Sequence, residues 1–79
     1  MASHSIFADI AYSMLRNRER KGFTVSEVAR RLGRNRQVVY QLEDPERERG
    51  YNLQSLLDYA EAIGMELKLE FVEKTGVEQ

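Results

Sequence analysis

TVSEVARRLGRNRQVVYQLE, residues 24–43, is the stretch that decides the fold of this 79-residue chain. Thr24 and Glu27 have the spacing of a capping box, in which a hydroxyl and a carboxylate satisfy backbone amides at the start of a helix. Apolar residues then recur at i, i+3, i+4 and i+7, namely Val25, Val28, Ala29 and Leu32. The opposite face of the helix is polar. The sequence therefore predicts an amphipathic helix that begins after Thr24.

A second helix follows after a short turn. Gly33 can close the first helix with a positive φ, and Asn35 is a good N-cap for the next one. That second helix runs to about Glu43, because Pro45 cannot continue it. The stretch is thus expected to fold as two short helices joined by a tight glycine turn.

The second helix has two unlike faces at about 100° per residue. Its polar face carries Arg36, Gln37, Tyr40 and Gln41, and its apolar face carries Val38, Val39 and Leu42. Arginine and glutamine side chains match the edges of guanine and adenine, and an α-helix fits the major groove of DNA. A solvated helix face with no ligand explains the same side chains, and for an isolated helix it is the commoner explanation.

The surrounding sequence favours DNA binding. Ala29, Gly33 and Val39 stand where a helix-turn-helix requires a small residue, a turn and a core anchor. The chain from about Ile6 to Gly64 resembles the phage repressor and Cro proteins, also called the XRE family. The resemblance rests on these residues and on the segments LRNRERKGFT before them and LQSLLDYAEAIG after them. The resemblance implies a mainly α fold of four, or five, helices over residues 6–64, in which residues 35–43 form the recognition helix in the major groove.

The resemblance also implies roles for individual residues. The base-reading positions of the family fall on Arg36, Gln37 and Gln41, with Val38 able to touch a thymine methyl group. Thr24, Arg34, Asn35 and Tyr40 are the expected phosphate contacts. Arg18 and Glu43 match a pair that forms a structural salt bridge in the family.

Three positions depart from the family pattern. Val25 replaces a glutamine that commonly touches a phosphate, and Arg34 occupies a turn position that is commonly apolar. Asp44 and Glu46 follow the recognition helix where the family has a less acidic turn. Two carboxylates there would repel the DNA backbone unless they point away from it.

The charge of the chain is divided along its length. The net charge is −1, but residues 16–42 hold eight basic and two acidic side chains, and residues 43–79 hold four basic and ten acidic ones. The basic part can steer the motif to DNA despite the overall charge, because phosphate attraction depends on the local field. The expected basic stripe comprises Arg16, Arg20, Lys21, Arg30, Arg31, Arg34 and Arg36.

Composition excludes several classes of function. The chain has no cysteine, no glycine-rich phosphate loop and a single histidine, His4, near its start. We therefore expect no metal, no cofactor and no enzymatic activity. Its apolar stretches are short and its start lacks a signal-peptide pattern, which predicts a cytoplasmic protein with no membrane contact.

Two further helices are predicted around the motif. Residues 6–21 carry apolar side chains at helical spacing, with Ser5 as a cap and Gly22 as a stop. Asn52 caps another helix, which Gly64 ends. Residues 1–5 and 74–79 are expected to be flexible ends.

Residues 65–73 have a different period from the rest of the chain. Met65, Leu67, Leu69 and Phe71 alternate with charged residues, as in a half-buried strand. A lone strand leaves its backbone groups unpaired, so we expect it to pair antiparallel with the same strand of a second copy. A twofold axis at Lys68 would oppose Glu66 and Glu70, whereas an axis at Leu67 or Leu69 pairs Lys68 with a glutamate, and either of these two registers is preferred.

A helical body followed by a dimerising strand is similar to the HipB-like antitoxin repressors of toxin–antitoxin operons. The resemblance implies a homodimer that binds a palindromic operator in double-stranded DNA, represses its own operon and holds a toxin protein through other surfaces. The alternative is a protein-interaction module on a helix-turn-helix scaffold, with weak or no DNA binding. Only the DNA binder should show an affinity that falls steeply with salt.

Overall fold

The computed structural model describes residues 5–74, which form four α-helices. These are α1 (Ile6–Lys21), α2 (Val25–Leu32), α3 (Arg36–Leu42) and α4 (Leu53–Ala62). The expectation of a mainly α fold with four helices is confirmed for this part of the chain. The predicted flexible ends, 1–5 and 74–79, lie outside the described residues apart from Ser5 and Lys74.

Each helix begins at the cap that the sequence predicts. The side chains of Ser5, Thr24, Asn35 and Asn52 each accept a hydrogen bond from the backbone amide three residues later. At Thr24 the capping box is complete, because the Thr24 amide also donates to Glu27 Oε1 over 2.8 Å. That bond lowers the pKa of the Glu27 carboxyl below its ordinary value.

The turn between α2 and α3 depends on Gly33. Its φ is +69°, and the amides of Gly33 and Arg34 donate to the carbonyls of Arg30 and Ala29. A residue with a Cβ is strained in this left-handed conformation, which explains the glycine. The turn places Asn35 where it can start α3 at once.

One core joins all four helices. Val28 of α2 and Val39 of α3 are fully buried, and Tyr59 of α4 is nearly so. Met14 of α1 and Leu42 of α3 complete the contact between the motif and the outer helices. This packing buries one side of α3 and leaves its other side in solvent.

The segment after α4 contains no strand within the described residues, so the single chain does not show the predicted element. Met65 and Leu67 are half-buried, whereas Leu69 is 68% exposed and Phe71 is fully exposed. A strand requires hydrogen bonds to a neighbouring strand, and residues 5–74 of one chain supply none. No helix within the same residues is long and apolar enough to cross a membrane.

Candidate nucleic-acid interface

The outer face of α3 is the one that the sequence predicts. Arg36, Gln37, Tyr40 and Gln41 are exposed, while Val39 and Leu42 are buried. Within residues 5–74, no side-chain hydrogen bond or ion pair engages any of these four polar side chains. Their donors and acceptors are therefore available to a ligand.

Val38 lies on the other side of the helix. It is half-buried and packs against the core, alongside Leu32 and Val25. Most of its apolar surface therefore has a protein partner, and contact of the rest with a thymine methyl group stays a prediction. Its main role in this fold is to seat α3 on α2.

The expected phosphate contacts differ in how free their side chains are. Arg34 and Tyr40 are exposed, and Arg34 precedes α3 by two residues. Asn35 Oδ1 accepts the Val38 amide over 3.2 Å. The Thr24 hydroxyl both accepts the Glu27 amide and donates to Glu27 Oε1. A phosphate at Thr24 would compete with the capping box, so Arg34 is the strongest of the four candidates.

Arg18 and Glu43 form a buried ion pair at the end of α3. Arg18 Nε donates to Glu43 Oε2 over 2.7 Å, and its Nη2 donates to Oε1 over 3.0 Å. Their side chains are 11% and 6% exposed. The hydrogen bonds to Glu43 raise the pKa of Arg18. Because Glu43 is the C-cap of α3, this pair fixes the end of that helix against α1.

Tyr59 of α4 joins the same network. Its hydroxyl lies 2.5 Å from Glu43 Oε2 and 3.0 Å from the Met14 carbonyl oxygen. A phenol has one proton to give, and the shorter distance and the negative charge assign it to the carboxylate. Burial, followed by this hydrogen bond, raises the pKa of the Tyr59 hydroxyl far above its ordinary value. Three helices thus meet at one carboxylate.

Tyr59→Phe is expected to lower the free energy of unfolding by about 1–3 kcal/mol, because Glu43 loses a donor where water cannot replace it. It should also change how the free energy of unfolding depends on pH at alkaline pH. Unfolded tyrosine ionises near pH 10, whereas native Tyr59 stays protonated, so the native state binds more protons and stability falls as pH rises above about 10. Tyr59→Phe removes that part of the loss.

Thermal melts between pH 8 and pH 11.5 measure both effects. Tyr40→Phe is the matched control, because it removes the same hydroxyl from a 55% exposed position. If stability fell above pH 10 as steeply in Tyr59→Phe as in Tyr40→Phe, the result would show that Tyr59 ionises as freely in the folded protein as in the unfolded one.

The C-terminal end of α3 is held by a clamp, which we define as Arg47 and Tyr51. One Arg47 guanidinium donates to three carbonyls, those of Gln41, Arg49 and Gly50, over 2.8, 3.0 and 2.9 Å. The guanidinium also lies 4.0 Å from the centroid of the Tyr51 ring. The Tyr51 hydroxyl donates to the Leu42 carbonyl over 2.6 Å. The clamp therefore satisfies two carbonyls of the last turn of α3, which have no partner inside the helix.

Two of the acidic residues after α3 have structural partners. Glu43 is paired with Arg18, and Asp44 Oδ1 accepts the Glu46 amide over 2.9 Å in a tight turn. Glu43 is also 6% exposed, so it presents almost no charge to solvent. Asp44 and Glu46 are themselves exposed, so the two carboxylates that depart from the family pattern remain at the surface beside the end of α3.

The basic residues of the sequence do not act as one stripe. Arg31 donates to the Ala62 carbonyl over 3.2 Å, and its guanidinium lies 4.6 Å from the centroid of the Phe23 ring. Arg20 donates to Asn17 on α1. Both side chains serve contacts within the fold, whereas those of Arg34 and Arg36 at the start of α3 make none in the described chain.

Sequence reasoning missed the clamp and the role of Tyr59. In sequence, residues 44–52 form a charged connector, DPERERGYN, in which Arg47 and Tyr51 are as well suited to flank DNA phosphates as to lie in solvent. A tyrosine at a core position of α4 signals a buried hydroxyl that requires a partner. An arginine five residues after the end of a helix carries no comparable local signal.

Comparisons of the chain with protein-family models, with curated proteins and with solved structures each find no match. The resemblance to the phage repressor family therefore rests on the motif residues of the sequence alone.

Proposed function

We propose that this protein is a sequence-specific DNA-binding transcriptional regulator of the phage repressor type, acting as a dimeric repressor. In this proposal α3 enters the major groove. Arg36, Gln37 and Gln41 contact base edges. Arg34 and Tyr40 contact the flanking phosphates.

The observation that supports the proposal is the outer face of α3. Four large polar side chains project from seven residues of helix, and within residues 5–74 none of them has a protein partner. The other side of α3 is fixed by the core, the N-cap Asn35, the Arg18–Glu43 pair and the clamp. Rigid support of the helix favours specific readout, because a backbone that is already ordered loses less entropy on binding.

A twofold dimer completes the proposal. Pairing of residues 65–73 between two copies would relate two α3 helices by a twofold axis, which is the symmetry of a palindromic operator with half-sites about 34 Å apart. The more specific form is an antitoxin that represses its own operon. The HipB-like resemblance supports that form. The candidates for toxin contact are the acidic half of the chain, residues 43–79, and within it the tail 73–79, of which residues 75–79 lie outside the described part of the chain.

Duplex binding tests the function directly. A labelled duplex from the protein's own promoter and a scrambled duplex are titrated at 50 mM and 200 mM salt, and a random duplex library is selected in parallel. We expect preference for the promoter or for a selected palindrome, and an affinity that falls by roughly 10³-fold across this salt range if about six phosphates are contacted. No binding to any duplex at 50 mM salt would exclude a DNA-binding role.

Arg34→Ala is expected to weaken binding to operator and scrambled DNA by the same factor. Arg34 precedes the recognition helix and has an exposed side chain, so it is placed for a phosphate rather than a base. Loss of one phosphate contact from each protomer removes two from the dimer and should reduce the slope of log K against log salt by about 2. A selective loss of operator binding, with the scrambled duplex unaffected, would make Arg34 a base reader instead.

A protein-interaction module is the second candidate. The exposed apolar segment after α4 favours it, since Leu69, Phe71 and Val72 lie in solvent in the single chain. This candidate predicts no counterion release. The salt titration above therefore separates the two functions.

A further inference from the structure

The two ends of α3 are held in different ways. The helix has only seven residues, and Gln41 is the last but one of them. Helices this short are not stable alone, so both ends depend on contacts with other parts of the fold. The start is held locally, because Asn35 Oδ1 accepts the Val38 amide. The end is held from outside the helix, by the clamp.

The clamp fixes the peptide group of Gln41 itself. Arg47 Nη1 donates to the Gln41 carbonyl over 2.8 Å, and the Tyr51 hydroxyl donates to the next carbonyl, that of Leu42, over 2.6 Å. The Gln41 side chain is exposed and has no hydrogen-bond partner within residues 5–74. Arg47 therefore holds the backbone of this residue while its side-chain amide stays available to a ligand.

The connector that carries the clamp is itself supported by α1. The Tyr51 ring meets the Phe7 ring edge to face, with the two centroids 6.3 Å apart. Gly50 lies so close to Phe7 that a Cβ on Gly50 would be 3.3 Å from the ring. Arg47 Nε and Nη2 donate to the carbonyls of Arg49 and Gly50. One guanidinium thus ties the end of α3 to a connector that packs on α1.

This set of contacts requires an arginine. Three different nitrogens of one planar group donate to three carbonyls, and the guanidinium carbon lies 4.0 Å from the centroid of the Tyr51 ring. A lysine ammonium is a compact charge, with no plane to stack on a ring and no fork to bridge two segments. Arg47→Lys therefore keeps the charge of the clamp and removes its geometry.

We propose that Arg47 is a positioning residue for sequence recognition, which holds Gln41 where its side-chain amide can read one base pair. The inference rests on the DNA binding of the proposed function and deepens it. A glutamine amide donates to and accepts from a base edge at once only when both of its atoms are within hydrogen-bond reach, so a shift of its backbone weakens the readout. Arg36 and Gln37 follow the N-cap directly, and their readout does not depend on the clamp.

Selection from a random duplex library tests the proposal, because it reports the base preference at each position of the site. Gln41→Ala identifies the base pair that Gln41 reads, where it should reduce the preference by about 5- to 150-fold. Arg47→Lys should reduce the same preference by about 3-fold or more and leave the other positions unchanged. In a Gln41→Ala background, Arg47→Lys should cause no further loss at that base pair, because its effect passes through Gln41.

Two further variants separate positioning from stability. Arg49→Lys is the matched control, since Arg49 is an exposed arginine of the same connector that meets the clamp through its backbone carbonyl and not its side chain. Leu56→Ala lowers stability from a different place, the cavity between α1 and α4. At a temperature where thermal melts show every variant folded, neither substitution should change any base preference.

Hydrogen exchange of the free protein gives a readout that needs no DNA. Arg47→Lys should speed the exchange of amides in the last turn of α3, such as the Glu43 amide, which donates to the Val39 carbonyl. The amides of α2 should be affected less. Arg49→Lys should leave the exchange of both helices unchanged.

The contrary results differ from one another. Unchanged base preferences in Arg47→Lys, as in Leu56→Ala, would reduce the clamp to a structural contact. An equal loss at every base pair would show that Arg47 acts on the whole interface and not through Gln41. If the unsubstituted protein bound no duplex, the proposed function would fail and the recognition role of Arg47 with it, whereas hydrogen exchange would still show whether Arg47 orders the end of α3.

Discussion

Arg18→Ala is expected to lower the free energy of unfolding by about 3–5 kcal/mol, because it leaves the Glu43 carboxylate buried without its cation. The carboxylate would keep the Tyr59 hydroxyl but lose both guanidinium donors. The free energy of unfolding of a domain of this size is only about 4–12 kcal/mol, so this variant should be partly unfolded at 37 °C. Urea denaturation followed by circular dichroism measures the change.

Two further variants distinguish the ion pair from a general effect of charge. Arg16→Ala removes the same charge from an exposed position on the same helix and should change stability by less than about 0.5 kcal/mol. Joint replacement of Arg18 by Met and Glu43 by Leu should cost less than Arg18→Ala, because no charge is then left buried alone. Equal losses in Arg18→Ala and Arg16→Ala would mean that the ion pair contributes nothing particular to the fold.

The ion pair matters for function because of where it lies. Glu43 caps the end of α3, Arg18 comes from α1 and Tyr59 comes from α4. Arg18 also donates to the Phe23 carbonyl, in the connection before α2. One network therefore holds the end of α3 against the body, and the clamp holds the same end of that helix from the connector.

The parts of the fold that could be predicted from sequence are those determined locally. A cap such as Thr24 acts on an amide three residues away, and Gly33 acts on its own φ, so both signals lie within a few letters of each other. The outer face of α3 was predictable for the same reason, because periodicity alone separates Arg36 from Val39.

The parts that could not be predicted depend on contacts distant in the sequence. Arg31 and Arg34 are alike as letters, but Arg31 meets the Ala62 carbonyl, thirty-one residues away, and Arg34 has no side-chain partner within residues 5–74. Arg47 and Tyr51 likewise acquire their role only when the connector folds back on α3. The segment from Met65 to Phe71 is a different case, since its expected partner is a second molecule.

The largest expected effect on function is the loss of sequence discrimination in Arg36→Ala and Gln37→Ala. Each should reduce the ratio of operator to scrambled binding by about 5- to 150-fold, which corresponds to about 1–3 kcal/mol for one base contact. Both side chains are exposed and unpartnered in the described chain, so neither substitution should alter the thermal melt. The double variant is expected to fall short of the product of the two losses if the neighbouring side chains read the same base pair.

Arg30→Ala is the matched control for this prediction. Arg30 is an exposed arginine at the end of α2, so its loss changes the charge as Arg36→Ala does without touching the recognition helix. It should leave the ratio of operator to scrambled binding unchanged. If Arg36→Ala and Gln37→Ala lowered the affinity for both duplexes by the same factor, as Arg30→Ala does, then α3 would lie on DNA as a charged surface. The protein would then owe its specificity to another part of the chain.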